Sequence, residues 1–171
     1  MEYTHAMATT LVSVEEYLST NFPETDREYI DGRIVRRNLG ERSHSYAQGE
    51  IYFFFRSMGR KSVFAYTEQR VQVSRTRFRV PDVCVYVGTD PADQVFRTPP
   101  FLAVEFLSKD DRPADLQEKI QDYLGFGVKY IWVVDPAARR GYVYTSDGCH
   151  YAGSVLWTKD PDFTLLLAQV L

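Results

Sequence analysis

With 171 residues, 44% hydrophobic and 15% aromatic, the chain has the size and material of one domain, and none of its apolar runs nears the roughly 20 residues of a bilayer-crossing helix. A net charge of −3 argues against strong nonspecific binding to nucleic acid, while leaving room for a local basic cleft. Two distant cysteines, Cys84 and Cys149, and three histidines exclude a disulfide framework and disfavour zinc; together with a start that lacks the pattern of a secretory signal, they lead to the expectation of a cytoplasmic protein.

Residues 1 to about 12 are expected to be loose. Ser13-Val14-Glu15-Glu16 is a capping box that opens a short helix through Leu18. Tyr29 to Val35 reads as a hairpin, because Asp31-Gly32 supplies the positive φ angles of a type I′ turn. Ala47, Ile51, Phe54, Phe55 and Met58 recur at helical spacing, and Gly59 suits the stop. Three extended segments follow: Val63 through Val73, Phe78 to Val87, and Phe101 to Leu107, the last too apolar on both faces to be exposed.

Pro113 suits a helix start, with Leu116, Ile120, Tyr123 and Leu124 on the buried face and Gly125 and Gly127 bracketing the end. Val128 to Val134 is a strand closed by Asp135-Pro136. Tyr142-Val143-Tyr144 and Cys149-His150-Tyr151 form a terminal hairpin around Ser146-Asp147-Gly148, and Phe163 to Leu171 is either strand or helix. From residue 43 to 134 the order is αβββαβ: three largely antiparallel strands, then a last strand parallel to a neighbour because a helix carries the chain back. The expected fold is thus an α/β (α+β) domain over residues 1–171 with a mixed central sheet.

Two acids interrupt apolar strands: Asp82, after Pro81, and Glu105. Burying an uncompensated carboxylate is costly, so each needs a partner. A proline in a strand marks an edge or bulge where a side chain is re-aimed. Two such acids with a lysine in the next helix suit a divalent cation. Mg²⁺ takes hard oxygen ligands, often one or two carboxylates with water and phosphate, and a bound metal polarises the phosphate and acidifies a water.

Pro81-Asp82-Val83, Val104-Glu105-Phe106-Leu107-Ser108, Lys119 with Tyr123, and Gly127 to Pro136 occur in an order that resembles the Uma family of endonucleases in the PD-(D/E)XK superfamily. The match extends upstream to Val14 through Leu18, Glu28 to Gly32 and the helix carrying His44. The resemblance implies a restriction-endonuclease-like core and a Mg²⁺-dependent nuclease, with Mn²⁺ as a substitute and DNA as the expected substrate. It implies Asp82 and Glu105 as metal carboxylates and the carbonyl of Phe106 as a further ligand. The chain departs from the superfamily at Leu107, where a lysine is usual. The family's migrated lysine then corresponds to Lys119 on the helix, with Lys109 on the preceding loop as the rival.

Other positions carry two readings each. Glu28 assists the metal or is an ordinary hairpin charge. His44 touches phosphate or water, or is a polar residue near a helix start. Glu50 is a helix glutamate for the metal or part of a solvated face. Tyr123 packs on the stem of Lys119. Gln69 donates to phosphate or is strand-end exposure. Arg75, Arg77 and Arg79 form a phosphate-binding rim or a solvated edge. Gly59-Arg60-Lys61-Ser62 fails as a P-loop, because Arg60 stands where glycine must precede the lysine.

Two competing functions remain at this level: a catalytically inactive nuclease-like module that binds nucleic acid or a protein, and an oligomer built on aromatic surfaces. The twelve Tyr and eleven Phe make a homodimer an expectation in either case.

Overall fold

The computed structural model describes residues 11–22, 27–37, 41–59, 61–109 and 111–171; residues 1–10 of the start expected to be loose, and Arg60, lie outside them. Helix α1 (Val14–Ser19) starts as its capping box requires, with Ser13 Oγ accepting from the Glu16 amide at 3.1 Å. Strands β1 (Arg27–Ile30) and β2 (Arg33–Arg36) form the hairpin, and Asp31 and Gly32 take φ of 49° and 89°, as a type I′ turn demands. Val12, at the end of the stretch expected to be loose, is tied to this hairpin: its amide donates to the Gly32 carbonyl at 2.8 Å and its carbonyl accepts from the Tyr29 hydroxyl.

Helix α2 (Arg42–Ser57) buries Ala47, Ile51 and Phe55, one residue per turn along a single stripe. The next two extended segments are each two strands. The first divides into β3 (Val63–Thr67) and β4 (Val71–Ser74), broken where Glu68 adopts φ of 52°. The second divides into β5 (Arg77–Arg79) and β6 (Val83–Val87) across Pro81, which has no amide to continue a ladder. Then come β7 (Leu102–Phe106), helix α3 (Pro113–Phe126) and β8 (Tyr130–Asp135). Gly127 caps α3 at φ of 107°, a conformation that favours glycine. Strands β9 (Arg140–Thr145) and β10 (Gly148–Gly153) are the expected hairpin. β11 (Val155–Trp157) pairs with β12 (Thr164–Leu166), and a 3₁₀ turn over Leu167–Gln169 follows, so the undecided tail contains both kinds of element.

The central sheet runs β10-β9-β8-β7-β6-β3, with β7 and β8 its one parallel pair among the described strands; a second sheet runs β2-β1-β5-β4. Alternation along β7 divides the core. Leu102, Val104 and Phe106 face α2, in a cluster that includes Phe55 and Trp132. Ala103 faces α3, in a cluster with Ile120, Tyr123 and Val133. The chain passes from the second sheet to the central one at Pro81-Asp82, between β5 and β6, where strand pairing lapses and a polar side chain is free to turn inward.

Candidate metal-binding and catalytic site

Glu105 shares the α3 face of β7 with Ala103 by the same alternation. Lys119 and Tyr123, one turn apart on α3, meet it there. The Tyr123 hydroxyl donates to Oε1 at 2.7 Å and Lys119 Nζ donates to Oε2 at 3.1 Å. Asp82 is fixed beside Glu105 by the backbone, since the amide of Phe106 donates to its Oδ2 at 2.8 Å. Its Oδ1 lies 2.5 Å from Arg37 Nη2 and 3.3 Å from His44 Nε2. Both carboxylates are buried. Glu28, also buried, extends the cluster: Oε1 lies 3.1 Å from Lys119 Nζ and accepts from the Val80 amide at 3.2 Å, while Oε2 accepts from Arg79 Nη1 at 2.8 Å.

Asp82, Glu105, Lys119, His44, Glu28 and Phe106 therefore meet in one connected network. Tyr123 does more than pack against a lysine stem, because its hydroxyl orients Glu105. Lys109 is elsewhere: it is exposed and pairs with Glu41 at 2.6 Å. Leu107, where the superfamily has lysine, packs into the α3-side core. Glu50 is half-buried on α2. Gln69 donates to the carbonyls of Arg70 and Gln94, which is a loop-holding role.

Arg77 and Arg79 form neither a free rim nor a solvated edge. Arg79 is 2% exposed and lies between Glu28 and Asp122, with Nη2 2.6 Å from Asp122 Oδ2. Arg77 engages Asp31, Asp122 and Glu118. The physical reason lies in α3. Glu118 and Asp122 are one turn apart, adjacent to the Lys119 and Tyr123 pair, and present acids to the strand that carries both arginines. That i, i+4 acid pair was a legible signal. Arg37 had none, since an arginine at the end of a hairpin strand looks like any surface charge.

The two metal-candidate carboxylates are driven apart in acidity. Burial raises Asp82, but the hydrogen bond from His44 and the guanidinium of Arg37 outweigh it and hold the group below the ordinary range. Burial pushes Glu105 up to about 7; Asp82 and Glu28 add to the rise and Lys119 opposes it. Burial also works against a charged Lys119, yet Glu105 and Glu28 hold its pKa above the ordinary value. Lys119 is thus an ammonium at neutral pH, suited to stabilising negative charge and unsuited to accepting a proton. The hydrogen bond to Asp82 raises His44.

The donor set fits a hard divalent cation. Asp82, Glu105 and the carbonyl of Phe106 offer oxygen only, the chemistry that Mg²⁺ and Mn²⁺ take. Among the described residues no group of three or more His, Cys, Asp or Glu converges as a metal cage. With burial pushing Glu105 up to about 7, a metal held there would displace its proton at acidic pH. Mg²⁺ or Mn²⁺ affinity is expected to rise about tenfold from pH 6 to pH 8, with close to one proton released per metal at pH 6. Calorimetry in buffers of different ionisation heat checks this, and a pH-independent affinity without proton release would contradict it.

Comparisons with known proteins bear on the family and the fold. A family model described as Uma2, putative restriction endonuclease, matches residues 14–167. A crystal structure described as a putative nuclease belonging to DUF820 from Anabaena variabilis ATCC 29413 superposes with a TM-score of 0.81, covering 93% of this chain and 97% of that one. Its sequence identity is 21%, so it speaks for the fold alone. No curated protein matches.

Proposed function

Since the chain belongs to the Uma2 family, described as putative restriction endonucleases, we propose that it is a divalent-metal-dependent phosphodiesterase acting on nucleic acid, with DNA as substrate and an endonucleolytic cut. One observation carries this reading above the rest: Asp82, in the bend before β6, and Glu105, on β7, are buried side by side, and the Phe106 amide holds Asp82 while Lys119 and Tyr123 hold Glu105.

Asp82, Glu105 and the Phe106 carbonyl would hold Mg²⁺, or Mn²⁺ in its place. The ion would supply polarisation of the scissile phosphate and a more acidic water. Lys119, kept charged and aimed by Glu105 and Glu28, stabilises the negative charge that grows on the phosphoryl oxygens. His44 Nε2, 3.3 Å from Oδ1, orients Asp82. Glu28 and Arg79 act one step back, by keeping Lys119 in place.

The test is digestion of supercoiled plasmid, linear duplex, single-stranded DNA and RNA with Mg²⁺, Mn²⁺ or EDTA. Cleavage of DNA with metal and none with EDTA is expected. Lys119→Met should lower the rate by about 10²–10³-fold while Mn²⁺ still binds; an unaltered rate would remove Lys119 from the chemistry.

A non-cleaving nucleic-acid-binding module is the second reading. It is favoured by the site's self-sufficiency, since Arg37, Lys119 and Arg79 already pair with Asp82, Glu105 and Glu28 without a metal. Binding without cleavage in every digest would select it. A homodimer would place two sites on two strands, and the exposed Tyr46 and Phe53 of α2 suit such a contact. The expected location remains the cytoplasm. Among the described residues no helix is long and apolar enough to cross a membrane.

A further inference from the structure

The buried cluster is by itself a poor binder of a polyanion. Arg37, Arg79 and Lys119 already pair with Asp82, Glu28 and Glu105, and with Glu68, Glu118 and Asp122 counted the cluster holds more acids than bases. Phosphates on either side of a cut therefore need cations outside it. A cleft of about 650 Å³ offers two, Arg42 and Arg139, both exposed. Arg42 and Ser43 open α2, and Pro136, Ala137 and Arg139 belong to the turn from β8 to β9. Both segments continue directly from the cluster. His44, the residue after Ser43, reaches Asp82 Oδ1 at 3.3 Å. Val134, two residues before Pro136, lies in register with Phe106 and accepts from the Leu107 amide at 2.7 Å.

Neither arginine is neutralised. Among the described residues Arg42 forms no ion pair, and Arg139 donates one N–H to the Leu171 carbonyl at 2.9 Å while keeping its charge. The one acid lining the cleft, Glu41, is matched by Lys109 at 2.6 Å. Arg139 also stands at φ of 51°, where a turn made only to join two strands would favour glycine. From this placement we infer that the cleft is the groove for one strand of the substrate, in which Arg42 and Arg139 hold the phosphates beside the scissile one. The inference rests on the nuclease reading above and adds where the strand lies. Each guanidinium fork can take two phosphate oxygens at once. Such contacts fix the position of the strand without reading its bases, so they act alike on any duplex.

A short fluorescent duplex is titrated in Ca²⁺, at several salt concentrations, into the wild-type chain, Arg42→Gln, Arg139→Gly and Lys129→Gln. Lys129 is the control: it is exposed, it sits at the other end of β8, and its loss changes the net charge equally. Each arginine variant should bind about three- to tenfold more weakly, with a log–log salt slope smaller by about one. Arg139→Gly should melt close to the wild-type chain, because glycine is at ease at that φ, so its lost affinity is not a folding defect. Lys129→Gln should match the wild-type chain in affinity and slope. In plasmid digestion with Mg²⁺ the arginine variants should raise KM and leave kcat near its wild-type value. Wild-type affinity and slope in both arginine variants, in a chain that cuts, would overturn the groove and leave the nuclease reading standing. Equal weakening by Lys129→Gln would also overturn it, as an effect of net charge alone. A wild-type chain that cuts no duplex with Mg²⁺ or Mn²⁺ would overturn the nuclease reading and this inference with it.

Discussion

Glu105→Gln is expected to lose metal-dependent cleavage by about a thousandfold or more, and at the same time to melt at a higher temperature than the wild-type chain at pH 8 without metal. The loss follows from removing a charged ligand from a site whose transition-state stabilisation is worth several kcal/mol. The gain follows from linkage. Burial pushes the folded-state pKa of Glu105 up to about 7, above the ordinary glutamate value of 4.5. Between those values the folded chain binds more protons than the unfolded one, so stability falls as pH rises through the window, and the cost is complete above pH 7. Glutamine does not ionise and escapes that cost. Its carbonyl can still accept from Lys119 and its amide can donate to Tyr123. A net gain of about 1 kcal/mol at pH 8 corresponds to roughly 2–4 °C in Tm, and it should shrink toward zero at pH 5. Thermal unfolding at the two pH values checks it. A variant less stable than wild type at pH 8 would show that the Glu105 carboxylate is a structural ion-pair partner first.

Arg79→Met is expected to be the most destabilising single change at the site, by about 3–5 kcal/mol, because it strips a cation from three carboxylates at once, Glu28, Glu118 and Asp122. Glu28 is buried and would keep Lys119, while Glu118 and Asp122 would keep Arg77. The Val80 amide on Glu28 lies next in sequence, so the damage reaches the segment that carries Asp82. In a double-mutant cycle, adding Glu28→Gln should recover part of the loss, since one stranded charge goes with it. Denaturant unfolding gives both numbers. A change of less than about 1 kcal/mol would mean that solvent or Arg77 replaces Arg79 without difficulty.

Much of this was legible before any coordinates. Apolar periodicity located α2, α3 and β8, and the crossover from β7 through α3 to β8 required a parallel pair, which the register of Phe106 with Val134 provides. Asp82 and Glu105 stood out because carboxylates in apolar runs need partners. The divisions of Val63–Val73 and Phe78–Val87 were harder to see. Each pair of strands is nearly continuous in hydrophobicity, and the break depends on which sheet each half joins, a tertiary fact absent from local pattern. The network behind Lys119 was half visible, in the acid pair Glu118 and Asp122, but not its depth: strand arginines are usually exposed, and Arg79 is buried only because three acids surround it. Arg37 was invisible, since its partner lies 45 residues away.

The central claim is that Asp82 and Glu105 hold one divalent metal. Anomalous scattering from crystals of the chain grown with Mn²⁺ tests it most directly. The account predicts one strong peak within roughly 2.5 Å of a carboxylate oxygen of each residue and of the Phe106 carbonyl. A peak at other residues, or none at a saturating Mn²⁺ concentration, would contradict it.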